Sequence, residues 1–318
     1  MDYTVFLLGA GFGTRLRPLT LHRPKPLLPL LGFPMLDYAL FWLEKHGHTR
    51  VMVNAHHLWE QVARWSEEHN VGLQVELPEI LGTGGGLRAA RERLAEKFLI
   101  WNGDIVSDVQ PNILLEQCPE DGAAMALRYS SHLGKTTPLF QGKTGEVIRI
   151  GSLCATEDAP ELGTQKEGLH FTGIHAMSQK SLDYIEEGFQ CVVRSSYTKL
   201  VPQQKVQGVI HEGTWFDTGI PKEYFDANMK ALKGEVFLSF DPWEHARSRE
   251  EGSFVHKKAI VEGSIQECIV GAGAYVPKDT QLTRCVIWDG VEVPPGVHKD
   301  GIFYDGGFLS IEVEENEV

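Results

Sequence analysis

Over its first 110 residues the chain alternates short apolar runs with stretches whose apolar positions recur at helical spacing. Thr4–Leu8 is such a run and predicts a strand. Leu36, Ala39, Leu40 and Leu43 then fall at i, i+3, i+4 and i+7, one stripe of a helix. Arg50–Asn54 predicts the next strand, Leu58, Val62 and Trp65 a second helix, and Leu73–Leu77 a third strand. Leu87, Ala90 and Leu94 predict another helix, opened by the run Gly82-Thr83-Gly84-Gly85-Gly86. Phe98–Trp101 predicts a strand ending at Asn102-Gly103-Asp104. This alternation predicts a mostly parallel, Rossmann-like α/β sheet. From 120 to 225 the pattern loosens, with strands expected at Ala123–Tyr129, Val147–Ile150 and Leu169–His175 and helices at Ser181–Glu187 and Pro221–Leu232.

After Gly234 the period changes. The stretches ECIVGAGAYVPKD (267–279) and RCVIWDGVEVPPG (284–296) align at an offset of 17 residues, matching Cys268 to Cys285, Val270 to Ile287, Gly273 to Gly290 and Pro277 to Pro294. Apolar residues recur every six, at Val270, Val276 and Leu282, then at Ile287 and Val293. A hexapeptide period with coils of this length predicts a short left-handed parallel β-helix of about two coils. His256 and His298 fall outside the repeats. The expected organisation is a domain over 1–233, a linker over 234–254, and a β-helix appendage with its tail over 255–318.

Composition narrows the partners. The 318 residues include 43 acidic and 30 basic side chains, a formal charge of −13, which lacks the electrostatic footprint of a nucleic-acid binder. The five cysteines form no CxxC and predict free thiols rather than a disulfide framework or a zinc site. No leader-like segment and no run of 18 apolar residues occurs, so the expected setting is cytoplasmic, away from membranes.

The candidate chemistry opens at LLGAGFGTRLRPLTLHRPKPLLPLLG, residues 7 to 32. A dinucleotide fingerprint needs GxGxxG, and neither Gly9/Gly11 nor Gly11/Gly13 is followed by the third glycine. A P-loop needs Lys-Ser or Lys-Thr after its glycines, which is missing. A dehydrogenase is further opposed because the second strand closes on Asn54, not on an acid. There remains a glycine loop whose amides can approach phosphate oxygens, with the forks of Arg15 and Arg17 behind it. Lys25 follows as a point charge on a backbone stiffened by Pro24 and Pro26.

The whole string resembles the signature of the sugar-1-phosphate nucleotidylyltransferases, a GxGxRLxPLT loop followed by PKPLLP, and the likeness runs over residues 4 to 232. Leu81-Gly82-Thr83-Gly84-Gly85-Gly86 is similar to that family's base-recognition loop, Asn102-Gly103-Asp104 to its metal-binding aspartate, Phe171-Thr172-Gly173-Ile174 to its sugar-contacting strand, and Trp215-Phe216-Asp217-Thr218-Gly219 to its second metal aspartate. The resemblance implies transfer of a nucleotidyl group from an NTP to a sugar 1-phosphate with release of pyrophosphate. It implies Arg15 and Lys25 as catalytic cations. It implies nucleotide contacts from Leu8, Gly9, Ala10, Gly11, Gly13, Thr14, Gly82, Thr83, Gly84, Asn102 and Gly103, and sugar contacts from Thr172 and Gly173. Asp104 and Asp217 would share a Mg²⁺. Glycine at 84–86 also suits a tight turn, and Thr172-Gly173 also suits a plain edge strand; the residues leave both open.

One departure concerns the second phosphate-binding cation. The family's Glu-Lys-Pro is missing, since the corresponding region reads Val147-Ile148-Arg149-Ile150-Gly151-Ser152. Arg149 and Lys166 are candidates only, and each suits a surface charge better. His56 and His57 read as a loop leading into the Leu58 helix. The TGGG loop and the FTGI strand are similar to N-acetylmuramate-1-phosphate uridylyltransferases, whereas the C-terminal repeats resemble those of mannose-1-phosphate guanylyltransferases. The loops favour UTP over GTP, and the repeats imply subunit contact in a homo-oligomer or packing on the catalytic domain. A catalytically inactive, nucleotide-sugar-sensing subunit is the alternative of another class; its mark would be loss of Arg15, Lys25, Asp104 or Asp217, and all four are present.

Overall fold

The computed structural model describes residues 2–130, 138–161, 168–248 and 252–312. The chain divides into two compact units, Met1–Gly11 with Trp42–Trp215, and Phe12–Phe41 with Phe216–Val318.

The first unit is built on the predicted alternation. Strands β1 (Tyr3–Leu8), β2 (Val51–Ala55), β3 (Gly72–Val75) and β4 (Leu94–Asn102) lie side by side and parallel in the order β3-β2-β1-β4. All five residues of β2 are buried, as expected of a parallel strand covered on both faces. β4 continues into an antiparallel neighbour, β6 (Gly168–Ser178), which also pairs with β5 (Ala123–Ser130); β5 in turn pairs parallel with β7 (Val206–Ile210). The sheet is therefore largely parallel at its centre and mixed at one side. Its core includes Phe6, Met52, Phe98, Ile100, Met125 and Leu182. Each such side chain contributes roughly 1.5–3 kcal/mol through burial.

Two boundaries move from the sequence expectation. The glycine run lies inside a helix, Gly82–Ala89, and Leu94 begins β4 instead of closing that helix. The tight turn Arg91–Arg93 separates them. Residues 179–184 form a 3₁₀ turn rather than a longer helix. A single register shift between Phe171 and His175 bulges β6 against β5, with Gly173 at φ +82° inside the bulge.

His175 is fully buried just beyond that bulge, its Nδ1 sharing a hydrogen bond with the Tyr197 hydroxyl. Burial pushes its pKa down to about 3. The unfolded chain takes this proton near pH 6.5 and the folded chain does not, so stability falls as pH drops through that window towards 3. Between pH 6.5 and 5 the wild type is expected to lose about 1–2 kcal/mol more than His175→Asn, measured by urea titration at each pH. Equal losses in the two proteins would remove this account of the acid side of the stability profile.

In the second unit, the segment 12–41 packs with helix Pro221–Lys233 and the C-terminal strands. Helix Met35–Lys45 begins in this unit and continues into the other. After residue 245 the strands β8 (Ala246–Ser248), β9 (Phe254–His256), β10 (Ile269–Val270), β11 (Thr280–Ile287), β12 (Gly296–Tyr304) and β13 (Gly307–Ser310) form one sheet. β9 to β12 stack in parallel, pairing Phe254 with Ile269, Ile269 with Val286 and Val286 with Ile302. Cys268 and Cys285 also stack, the Cys285 amide donating to the Cys268 sulfur at 3.4 Å. The hexad residues Val270, Val276, Leu282, Ile287 and Val293 all point into this stack's core. His256 and His298, expected outside the repeats, sit on the stacked strands β9 and β12. At each end an antiparallel strand, β8 or β13, covers the outermost parallel strand.

Candidate active site

In the strand order β3-β2-β1-β4 the direction of winding reverses between β1 and β4. In open α/β sheets ligands bind outside the carboxyl ends of strands at such a point. Leu8-Gly9 leaves β1 there and Asn102-Gly103-Asp104 leaves β4, and the Gly103 amide donates to the Leu8 carbonyl at 2.9 Å. Two predicted motifs, far apart in sequence, are thus joined by one backbone hydrogen bond. The bulge of β6 brings a third: a Cβ on Gly173 would lie 2.5 Å from the Asn102 side-chain nitrogen, so only glycine lets the strand approach.

A buried polar network then fixes the loops around the reversal. The Gly9 amide donates to Asn54 Oδ1, Asn54 Nδ2 donates to Glu76 Oε1, and the Leu81 amide donates to Glu76 Oε2, each at 2.7 Å. Asn54 and Glu76 are each only 2% exposed. The network ties the start of the glycine loop to the start of the TGGG helix through two side chains. Neither was singled out as a site residue from sequence; the one available signal was a lone carboxylate at the end of an apolar strand, in LQVELP.

The TGGG residues themselves face protein. Gly84 donates its amide to Gln190 O at 2.8 Å, and Val192 N donates to the Thr83 hydroxyl at 3.0 Å. A Cβ on Gly85 would lie 2.0 Å from Gly188 O, and one on Gly86 2.6 Å from Glu76 Oε1. Gly82, at φ +70°, would meet Gln190 O at 2.6 Å. Glycine in a helix costs roughly 0.5–1 kcal/mol relative to alanine, and here the close approach of segment 188–192 requires it. Thr172 is also occupied inside the fold, its hydroxyl donating to Ala126 O at 2.9 Å while its carbonyl accepts from Trp215 Nε1 at 2.8 Å.

The remaining predicted residues group in the second unit. Gly13 is left-handed, with φ +60°, and its carbonyl accepts from the Thr20 hydroxyl at 2.8 Å. A Cβ there would lie 2.8 Å from Thr20 Cγ2 and 3.3 Å from Lys25 Cβ, so the loop lies directly on the lysine stem. Thr14 and Arg15 are exposed in the 3₁₀ turn Thr14–Leu16, and Lys25 is half-buried in the turn Lys25–Leu27 between buried Pro24 and Pro26. A Cβ on Gly219, from the WFDTG motif, would lie 3.1 Å from Arg15 Nη1. Ala10 is buried and Gly11 exposed where the chain passes from one unit to the other. The backbone of Asp217 lies in strand Trp215–Asp217, but its side chain lies outside the described residues, as does Lys166. Arg149 donates to Gly151 O at 3.3 Å, and His56 Nδ1 bonds Glu76 O at 2.7 Å.

Residues 4–133 match the family described as Nucleotidyl transferase. The chain is 29% identical to a mannose-1-phosphate guanylyltransferase of Mycobacterium tuberculosis over 306 residues, covering 92% of this chain and 81% of the relative. It is 25% identical to a UTP–glucose-1-phosphate uridylyltransferase of Synechocystis over 332 residues, covering 96% of this chain and 74% of the relative. A crystal structure of HddC from Yersinia pseudotuberculosis has a similar fold, with a TM-score of 0.58 and 25% identity over 72% of this chain and 99% of that one. Residues 4–133 thus carry a nucleotidyl transferase domain, and over some nine-tenths of its length the chain is similar to sugar-1-phosphate nucleotidylyltransferases.

Proposed function

We propose that the protein joins a sugar 1-phosphate to the α-phosphorus of GTP and releases pyrophosphate. What carries this reading is the packing of the glycine loop on the Lys25 stem, in a chain with a nucleotidyl transferase domain. The nucleophile is a phosphate oxygen of the sugar 1-phosphate, ionised near pH 7, so no general base is required. Its bond to the α-phosphorus forms as the bond to the β-phosphate oxygen breaks, and pyrophosphate departs with the electron pair. The protein's part is positioning and charge neutralisation. The amides near Gly11 and Gly13 and the Arg15 fork hold the β- and γ-phosphates, and Lys25 meets the charge growing at the α-phosphate. Asn102, Gly103 and Gly173 form the floor at the winding reversal. The C-terminal stack is read as a short left-handed β-helix.

A divalent cation fits one of these residues by chemistry. Asp104 offers hard oxygen donors, half-buried at the end of β4, and Mg²⁺ keeps waters and substrate phosphate oxygens, so one or two carboxylates suffice. Among the described residues no cluster of three or more His, Cys, Asp or Glu side chains forms a metal cage. Asp104 would be a ligand of the ion, which when bound would draw charge from the α-phosphate.

Choice of nucleotide rests on two observations. Gly84, Gly85 and Gly86 pack closely on segment 188–192 and Glu76, a demand for glycine that holds whichever base is bound. Relatives matching about nine-tenths of the chain include guanylyltransferases from M. tuberculosis and Arabidopsis thaliana. UTP is the second reading, supported by the Synechocystis relative. Pyrophosphate release, assayed with each of GTP, UTP, dTTP, CTP and ATP against a panel of sugar 1-phosphates, is expected to peak with GTP and a hexose 1-phosphate. A UTP optimum would reverse the nucleotide assignment, and silence with every pair would end the enzymatic reading.

A further inference from the structure

The segment carrying Lys25 is held on both sides by the C-terminal part of its own unit. Before the lysine, the Arg23 guanidinium lies 4.7 Å over the Trp288 ring and donates to Asp289 Oδ1 at 2.5 Å and to Asp305 Oδ2 at 3.4 Å. Its side chain is only 15% exposed, although it bonds carboxylates that are half-exposed. His22 stacks edge-on against Tyr304, with ring centroids 5.5 Å apart. After the lysine, Trp288 Nε1 donates to the Tyr224 hydroxyl at 3.1 Å, and that hydroxyl donates to Pro29 O at 2.5 Å. The Leu31 amide donates to Asn228 Oδ1 at 2.9 Å.

Trp288 therefore serves both sides of the turn, one through its ring face and one through its indole N–H. A residue chosen only to fill the stack's core would need neither contact. Aromatic stacking, a forked ion pair and a planar guanidinium together fix direction as well as position. Arg23 stands two residues before Lys25, with one proline between them whose φ is set by its ring. Orientation at Arg23 is thus passed along a stiff backbone to the lysine.

We infer that Trp288 and Asp289 are positioning residues for Lys25, acting through Arg23, so that the C-terminal stack sets the geometry of the reacting turn. The inference rests on the proposed role of Lys25 at the reacting phosphates. Displacing a positioned group by about an ångström costs up to roughly a hundredfold in rate, and loss of one ion pair should cost about tenfold.

The test is Asp289→Asn in the whole 318-residue chain, with Glu262→Ala, which loses its bond from the Tyr275 hydroxyl elsewhere in the stack, as the control. Expected are a kcat about tenfold lower, a KM for the nucleotide within about twofold of wild type, and an unchanged control. In a Lys25→Ala background, Asp289→Asn should lower kcat no further, since its effect runs through the lysine. Hydrogen exchange over residues 20–31 should quicken in Asp289→Asn. Wild-type kcat in Asp289→Asn, an equal loss added on top of Lys25→Ala, or unchanged exchange would each overturn the inference. If the wild type turns over no pair at all, the functional reading fails, and the exchange measurement still decides whether Asp289 holds the turn.

Discussion

Replacing Lys25 by alanine is expected to lower kcat on the order of 10²–10³-fold, with a much smaller change in KM for the nucleotide. The argument is geometric. A lysine on a free loop would lose its rotamers on binding, and its removal would show mainly in affinity. Lys25 is instead flanked by two buried prolines and covered by a left-handed glycine that has no room for a Cβ. With the backbone and Cβ of the lysine fixed in this way, less freedom is lost on binding, and if its charge meets the α-phosphate as proposed, the loss falls in kcat. Lys25→Arg should not restore the rate, because a longer planar fork cannot put its charge where a compact ammonium sits. Quench-flow measurement of pyrophosphate formation separates the two parameters. A Lys25→Ala protein with wild-type kcat would take the lysine out of the reaction.

Glu76→Ala should be the most destabilising of these substitutions. Both carboxylate oxygens are used, one by the Asn54 amide and one by the Leu81 backbone, in a site with 2% exposure. Truncation leaves two buried donors unpaired, at about 1–3 kcal/mol each, so roughly 2–6 kcal/mol in all. For a unit of this size that corresponds to a fall in Tm of about 5–20 °C, read by calorimetry. Glu76→Gln keeps the shape but turns an NH₂ towards one of the two donors, and should recover part of the loss. The residual activity of Glu76→Ala should show a raised nucleotide KM, because Asn54 no longer holds the Gly9 amide in place. A Tm within 2 °C of wild type would show that the network is dispensable.

The sheet was legible because its strands carry their own signal. Thr4–Leu8 and Arg50–Asn54 are apolar runs with turn residues on either side, and burial on both faces forces that composition. The apolar positions of the C-terminal stack were legible for a related reason: a repeat of six cannot fill a common core unless the same positions point inwards in every repeat. In the opening loop Gly13 adopts the left-handed region, a conformation that its residue type favours. The TGGG run left two readings open because a glycine's absent side chain says that something comes close without saying what. Here it is the 188–192 backbone, some hundred residues away in sequence. Glu76, Asn54 and Arg23 escaped for the opposite reason. Each is a single polar residue whose partners come from distant strands, and no local period marks it. Thr172 shows a further limit, since its motif was readable but not the direction of its hydroxyl.

The pairing of Arg23 with Asp289 spans 266 residues and has a consequence for biosynthesis. At about 5–20 residues per second, a ribosome makes the arginine roughly 15–50 s before it makes the aspartate. During that interval the nascent chain already contains the whole glycine loop and its lysine, yet lacks what orients them. On the proposed roles, the Lys25 turn reaches its oriented state only after residue 289 has been made. A message cut short before codon 289 would yield a chain that holds the glycine loop and Lys25 but lacks the Asp289 contact to Arg23.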